Sequence, residues 1–341
     1  MILIDGSQGE GGGQILRTSL ALSLYTSQSF KIVNIRSRRQ QSGLRPQHLA
    51  SVKAAASIGR SEVEGANLSS HELIFQPGDI HPGRYEFNIA TAGSTSLVLQ
   101  TVYLPLSLAT STSNITITGG THVPKSPIFE YLDQHWCHFL QLMGLDIHLS
   151  SGIAGFYPQG GGQLQARIRS SSTISPLDIL HRGQLRQIRG ISAVANLDRR
   201  IAERQRAQVL RRLGDLYRLN DIRILDLTSK FKGTFLLLLA EFEKSQACYS
   251  ALGEPGKPAE RVADDAIEAL ERFLATDGAV DYYLADQLLL PLSFASGPSQ
   301  IRTSQITSHL LTNADVINAF LPKRIQIIGN HGEPGNVIIH P

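Results

Sequence analysis

A short motif recurs along this chain and limits its fold more than any other feature. Leu104 to Ala109 reads LPLSLA, Leu290 to Ala295 reads LPLSFA, and Leu20 to Tyr25 reads LALSLY, a looser copy. Self-similarity of this kind marks one structural unit built several times. Each copy closes an apolar stretch of helical character (QILRTSLALSL, SLVLQTVYLPLSL, LADQLLLPLSF), then come a short polar turn and a β-rich run (FKIVNI, NITITGG, QIRTSQI). After each strand sits a polar segment and a second helix: RSRRQQSGLRPQHLASVKAAASIG, THVPKSPIFEYLDQHWCHFLQLMG and TSHLLTNADVINAFL. The polar segments are therefore equivalent loops. At equivalent ends of three packed α/β units they would bring the arginine cluster after Lys31, the GGTHVP loop and His309 to one surface.

Between Arg182 and Thr276 the pattern changes to strand (IRGISAV), basic helix (ERQRAQVLRRL), strand (IRILDL), strand (TFLLLLAEF) and helix (PAERVADDAIEALERFL). Because a copy of the repeat follows, the simplest arrangement is a small domain, 182–276, inserted into a large one made of 1–181 and 277–341 and entered after RSSSTISP. The expected fold class is α/β (α+β), and 341 residues are enough for two domains.

Composition is that of a globular protein, with 42% hydrophobic and 18% charged residues and no apolar run as long as a bilayer span. The start, MILIDGSQGEGGG, lacks the features of a secretory signal, so a cytoplasmic address is expected. Cys137 and Cys248 stand far apart outside any CxxC spacing and are read as reduced core thiols. A net charge of +3 permits an anionic partner without demanding one, but Arg36, Arg38, Arg39 and Arg45 form a local excess with no acid between Lys31 and Arg60.

Asp5-Gly-Ser-Gln-Gly-Glu-Gly-Gly-Gly-Gln14 lies directly before an amphipathic helix. Glycines let backbone N–H groups approach an anion, and a helix N-terminus favours negative charge, so the segment suits phosphate; the plainer reading is a tight strand-to-helix turn. It is neither a Walker A loop nor a dinucleotide fingerprint. Glu10 is the one carboxylate among the glycines, a candidate oxygen ligand for Mg²⁺ or else an acid complementing the helix dipole. Arg36 to His48 offers guanidinium forks that match phosphate oxygens, alongside Gln47 and His48, although a charge cluster also suits a solvated surface and no aromatics are interleaved to stack bases.

His309 precedes a helix that Thr312 or Asn313 is placed to cap, and a neutral imidazole can attack phosphorus through one nitrogen if the other donates a hydrogen bond. It is the candidate nucleophile, against a capping or buried polar role. His135 and His138 fall on a helix whose apolar stripe includes Phe129, Leu132, Trp136 and Phe139, so they are read as core packing, not metal ligands. The basic helix with Arg204, Arg206, Arg211 and Arg212 also carries Glu203 and Asp215 and reads as a solvated face.

Taken together, DGSQGEGGGQILR, GLRPQHL, TAGSTSLVLQT, GFYPQGGG, YLADQL and HLLTN, in that order, resemble the RNA 3′-terminal phosphate cyclase family from end to end. One departure is Ala154, where that family's glycine signature usually begins with Arg or His. The resemblance implies three repeats like the C-terminal domain of translation initiation factor three and a small insert of thioredoxin-like topology. It implies a ligase forming a phosphoric ester bond by nucleotidyl transfer: His309 takes AMP from ATP as a phosphoramidate, AMP passes to an RNA 3′-phosphate, and the vicinal 2′-hydroxyl displaces AMP to close a 2′,3′-cyclic phosphate. Adenylylation supplies the leaving group that a phosphate monoester lacks.

Carried onto this sequence, the resemblance gives Glu10 a contact to a divalent metal, Mg²⁺ or Mn²⁺, and gives Arg17, Arg36, Arg39, Gln47 and His48 contacts to ATP phosphates or the RNA end. Gln100, Pro127, Tyr283, Asp286 and Gln287 would line the nucleotide pocket. RNA and ATP are the implied partners, with no membrane. Two other readings are a non-catalytic relative of the same fold that serves as a scaffold in ribosomal RNA maturation, and a transferase of the enolpyruvyl type. The presence of His309 and Glu10 speaks against the first, and the span of the motif match against the second.

Overall fold

The computed structural model of the chain describes residues 1–340. Its first unit runs β1 (Ile2–Asp5), α1 (Gly13–Thr26), β2 (Phe30–Val33), α2 (Pro46–Gly59), β3 (Glu62–Glu64) and β4 (Leu73–Gln76). The second runs β5 (Arg84–Asn88), α3 (Thr95–Ser107), β6 (Ser113–Gly119), a helical stretch from α4 (Phe129–Tyr131) through a π-turn at Leu132–Trp136 to α5 (Cys137–Leu142), then β7 (Ile147–Ile153) and β8 (Gly162–Ile168). A third opens with β9 (Asp178–Ile179) and is interrupted by β10 (Leu185–Ala195), α6 (Arg200–Leu213), β11 (Leu219–Asp226), β12 (Gly233–Phe242), β13 (Gln246–Leu252) and α7 (Ala259–Leu274). It resumes with α8 (Tyr282–Leu292), β14 (Ser299–Thr303), α9 (Ser308–Phe320), β15 (Ile325–Ile328) and β16 (Gly335–Ile339).

The three resulting sheets share one strand order, β1-β2-β4-β3, β5-β6-β8-β7 and β9-β14-β16-β15, each with a parallel first pair and antiparallel pairs thereafter. Alternate residues of β6 are buried, as a sheet with one face on the core requires. Helices α1, α2, α3, α8 and α9 pack on one another between the sheets and share a continuous apolar core. The recurring LPLS motif is a helix ending: Pro105 and Pro291 fall in the last turns of α3 and α8, so the hydrogen bond each removes lies near the helix end and the helix stops soon after. The hydroxyls of Ser107 and Ser293 then donate to the carbonyls of Tyr103 and Leu289, at 2.8 and 2.7 Å.

The interrupting segment forms its own sheet, β11-β10-β12-β13, including strand β13, which the sequence pattern left out. Alternation splits β12 between two cores. Leu236, Leu238 and Ala240 pack under α6 and α7, while Phe235, Leu237 and Leu239 join the core of the three units. Arg182 closes the neck of this segment by donating to the carbonyls of Phe273, Leu274, Thr276 and Gly278, which satisfies the C-terminus of α7. On α6, Arg204 pairs with Glu260 at 2.7 Å, and Arg212 with Asp264 and Glu271, both at 2.9 Å, so these arginines tie α6 to α7.

His135 departs from the expectation of simple core packing. It is fully buried, but its Nε2 meets Asp281 Oδ2 at 2.6 Å, and its Nδ1 meets Gln246 Nε2 at 3.1 Å. The helix that carries it is broken by the π-turn instead of running straight through. Cys137 and Cys248 are free and buried. Among the described residues no helix is long and apolar enough to cross a membrane.

Candidate active site

The Gly-rich stretch between β1 and α1 turns tightly because Gly9 and Gly11 adopt left-handed backbone angles, φ +52° and +56°. The turn leaves Glu10 before the helix, which begins only at Gly13, so Glu10 is not a first-turn acid. On α1, Gln14, Arg17 and Thr18 stand at i, i+3 and i+4 and therefore share one helix face, toward α8 and α9.

His309 lies inside the first turn of α9, because Thr307 caps that helix by accepting from the Leu310 N–H at 3.1 Å. This corrects the expected cap at Thr312 or Asn313, whose side chains are used elsewhere. Thr312 donates to the Ser308 carbonyl at 2.6 Å, and Asn313 binds Thr18 at 2.7 Å and the Asp286 carbonyl at 2.8 Å.

The imidazole is held at both nitrogens. Nδ1 meets Gln14 Oε1 at 2.6 Å, and Nε2 meets Glu10 Oε2 at 2.9 Å. Gln14 also donates from its Nε2 to Asp286 Oδ2 at 3.3 Å, which turns the amide oxygen toward the histidine. A carboxamide oxygen only accepts, so Nδ1 donates to Gln14, while Nε2 rests on the Glu10 carboxylate and becomes available only when that contact is given up. Burial lowers the His309 pKa below its ordinary 6.5, and Arg17 and Arg39 push the same way against Glu10, so the ring is neutral at neutral pH. Glu10 is shared with Arg39, at 3.1 Å.

His48 is the N3 residue of α2 and its Nδ1 accepts the Arg45 backbone N–H at 3.2 Å. Burial first, then Arg17, Arg36 and Arg45, hold its pKa down to about 3, so His48 offers a neutral N–H donor and no charge. Burial lowers Arg17 to about 10 against the pull of Asp286, leaving it cationic. Asp286 is pushed up to about 7, mainly by burial, although Gln14 and Arg17 favour its anion.

An open cleft of about 1170 Å³ is lined by every candidate residue: Glu10, Arg17, Arg36, Arg39, Gln47, His48, Gln100, Pro127, Tyr283, Asp286, Gln287 and His309. The GGTHVP loop reaches it through Val123 and Pro124, so the three equivalent loops do meet. One end holds His309, Glu10 and the arginines. At the other, Gln100 Nε2 donates to Gln287 Oε1 at 2.6 Å, Pro127 accepts from the Ser96 hydroxyl at 2.7 Å, and Tyr283 is 51% exposed. Gln47 is fixed on the near wall by accepting the Ser94 N–H at 2.8 Å.

Sequence reasoning missed Gln14 and Asn313, and the wall supplied by the interrupting segment, with Ser250, Leu252 and Lys257. The signal for Gln14 was present, since a glutamine, an arginine and a threonine share one face of an otherwise apolar helix. Among the described residues no cluster of three or more His, Cys, Asp or Glu makes a protein-only metal cage. Glu10 alone suits a Mg²⁺-type ion, which commonly takes one or two carboxylates and fills its remaining positions with phosphate oxygens and water.

A family model described as RNA 3′-terminal phosphate cyclase matches residues 8–327. Similar proteins named RNA 3′-terminal phosphate cyclase include those of Nostoc punctiforme, 40% identical with 96% of each chain covered, and Caldivirga maquilingensis, 41% identical over 100% of this chain and 98% of the other. That of Archaeoglobus fulgidus is 39% identical over 97% of this chain and 98% of its own. A solved structure, the enolpyruvyl transferase NikO of Streptomyces tendae, aligns with 99% of this chain and 65% of its own at a TM-score of 0.27 and 10% identity, too weak a likeness to carry an argument. With the family model matched over nearly its whole length and relatives near 40% identity at both ends, the chain belongs to the RNA 3′-terminal phosphate cyclase family.

Proposed function

We propose that this chain converts an RNA 3′-terminal phosphate to a 2′,3′-cyclic phosphate in an ATP-dependent, three-step reaction through a covalent histidine–AMP intermediate. The observation that carries this reading is the orientation of His309, with Nδ1–H donated to Gln14 and Nε2 turned to Glu10 at the cationic end of the cleft. In the first step Nε2 attacks the α-phosphorus of ATP, the N–P bond forms, the bond to the β-phosphate oxygen breaks and pyrophosphate leaves. An oxygen of the RNA 3′-phosphate then displaces the histidine, giving an RNA–AMP anhydride. Attack by the vicinal 2′-hydroxyl on the 3′-phosphorus closes the ring and releases AMP.

In this reading Arg17, Arg36 and Arg39 hold phosphate oxygens, and His48 and Gln47 donate or accept as neutral groups beside them. Gln100, Pro127, Tyr283, Asp286 and Gln287 surround the base and ribose. A Mg²⁺ or Mn²⁺ ion held by Glu10 would neutralise charge on the phosphates when bound. Exchange of the Glu10–His309 contact for such a ligand frees Nε2.

The domain division assigned to this chain is 1–181 with 277–341, and 182–276, supported by the separate sheet, its second apolar core and the Arg182 clasp. The likeness of the three units to the C-terminal domain of translation initiation factor three, the thioredoxin-like character of the insert and the cytoplasmic address belong to the same reading. The test is incubation of a synthetic RNA 3′-phosphate with ATP and Mg²⁺, following the RNA end, AMP and pyrophosphate. Stoichiometric cyclic phosphate, AMP and pyrophosphate are expected. RNA binding without turnover would move the chain to the scaffold reading.

A further inference from the structure

The GFYPQGGG loop of the second unit has no part in the cleft chemistry, yet it is built rigidly and presents an aromatic ring to water. Tyr157, at 66% exposure, is the most exposed aromatic side chain among the described residues. Its neighbour Phe156 is buried and anchors the loop, stacking on His122 with ring centroids 4.9 Å apart and filling the space where a Cβ on Gly233 would stand 2.2 Å from the ring. The Gly160 N–H closes the loop on the Phe156 carbonyl at 2.7 Å.

Beside it lies the β11–β12 connection. The Ala154 N–H donates to the Thr228 carbonyl at 2.8 Å, Gly161 packs on Phe231, and Asn196 donates to the carbonyls of Ser229 and Phe231 at 2.8 and 3.2 Å. That connection carries Lys230 and Lys232, both exposed and neither in an ion pair among the described residues. The loop also touches the segment that leads to the cleft wall. Gly160 packs against the backbone of Thr91 and Ala92, and Ser94 of the same loop holds Gln47.

From this juxtaposition we infer that Tyr157, Lys230 and Lys232 form a docking platform for the single-stranded RNA nucleotides that lie 5′ of the reacting end. The inference rests on the proposed function, because it concerns the body of the same substrate. An RNA whose terminal phosphate sits by His309 must leave the cleft across one of its rims. This rim supplies a π face that accepts any base and two unneutralised cations for the backbone. It also supplies the stacking aromatic that the arginine segment lacks. Anchoring of Phe156 and the loop backbone fixes the segment that carries the ring before the strand arrives, which reduces the ordering cost of binding.

The test compares a dinucleotide and a decanucleotide, each with a 3′-phosphate, in wild type and in a variant combining Tyr157→Ala, Lys230→Gln and Lys232→Gln. KM for the decamer is expected to rise about tenfold in the variant, with kcat, the dinucleotide KM and labelling of the protein by ATP unchanged. The slope of log KM against log salt should also fall by about 1.4, the value for two lost cations on a single strand. An unchanged decamer KM in the variant, with wild type active, overturns the platform alone. A wild type that cyclises neither RNA overturns both the platform and the function on which it rests.

Discussion

Two histidines of this protein meet carboxylates at nearly the same distance and serve opposite ends. His135 and Asp281 are 2.6 Å apart with both side chains at 0% exposure, locked where the second unit, α8 and the insert meet. His309 and Glu10 are 2.9 Å apart with side chains 51% and 29% exposed, on the wall of an open cleft among arginines. The first pair has no access for a substrate and satisfies the N-terminus of α8, where Asp281 also accepts the N–H groups of Tyr283 and Leu284. The second faces the open cleft, with Nε2 on Glu10 and Nδ1 on Gln14. Solvent access and the partner of the second ring nitrogen, not the carboxylate contact, separate the proposed nucleophile from the structural residue.

Substitutions sharpen that contrast. The largest effect is expected for His309→Ala, which should reduce cyclisation by at least about 10⁴-fold with melting temperature unchanged, because the covalent route is lost while nothing in the core is disturbed. His135→Ala should do the reverse. It leaves a buried carboxylate without its partner and is expected to cost about 3–5 kcal/mol in denaturant unfolding, while the folded fraction still accepts AMP. Equal loss of activity from both at equal stability would break the comparison.

A smaller effect is expected for Gln14→Ala, about 10²-fold in the rate of AMP transfer to the protein, since the imidazole keeps its place but loses control of its tautomer. The pH profile of that step should hold to a lower pH than an ordinary imidazole allows and fall as the ring protonates, because burial lowers the His309 pKa.

The smallest effect concerns Asp286. A carboxyl raised from 3.8 to about 7 binds its proton more tightly folded than unfolded, so stability is present at low pH and declines as pH rises through that window. Asp286→Asn should remove that decline, about 1–2 kcal/mol after allowance for partial access of water. A decline that persists in the variant would assign it to another group.

Much of this was legible in the sequence, for physical reasons. The LPLS copies predict helix endings because proline and a back-bonding serine both act within one turn, and α3 and α8 end within their copies, while α1 ends just beyond the looser LALSLY copy, which has no proline. The antiparallel strands that complete each unit were not read; in the first unit β3 and β4 span only three and four residues and their alternation is too short to register, whereas β7 and β8, at seven residues each, carry a legible alternation that was passed over. Strand β13 escaped because QACYSAL mixes small and polar residues and its first four residues are all buried, so it shows no alternation.

In the cleft, the charged and glycine-rich residues were visible by composition, whereas Gln14 was marked only by the polar face it shares with Arg17 and Thr18, and its role shows only when a histidine distant in sequence is brought to it. The His309 cap was misplaced by several residues. Thr307, Thr312 and Asn313 are all good capping types, and only the backbone geometry shows which of them stands outside the helix.

The most direct test of the central claim is incubation of wild type and His309→Ala with Mg²⁺ and α-labelled ATP, followed by denaturing electrophoresis. The account predicts a label on wild type alone, labile in acid and stable in alkali as a histidine phosphoramidate is, and none on the variant. A label of equal strength on the folded His309→Ala protein, or none on wild type across several divalent metals, would contradict it.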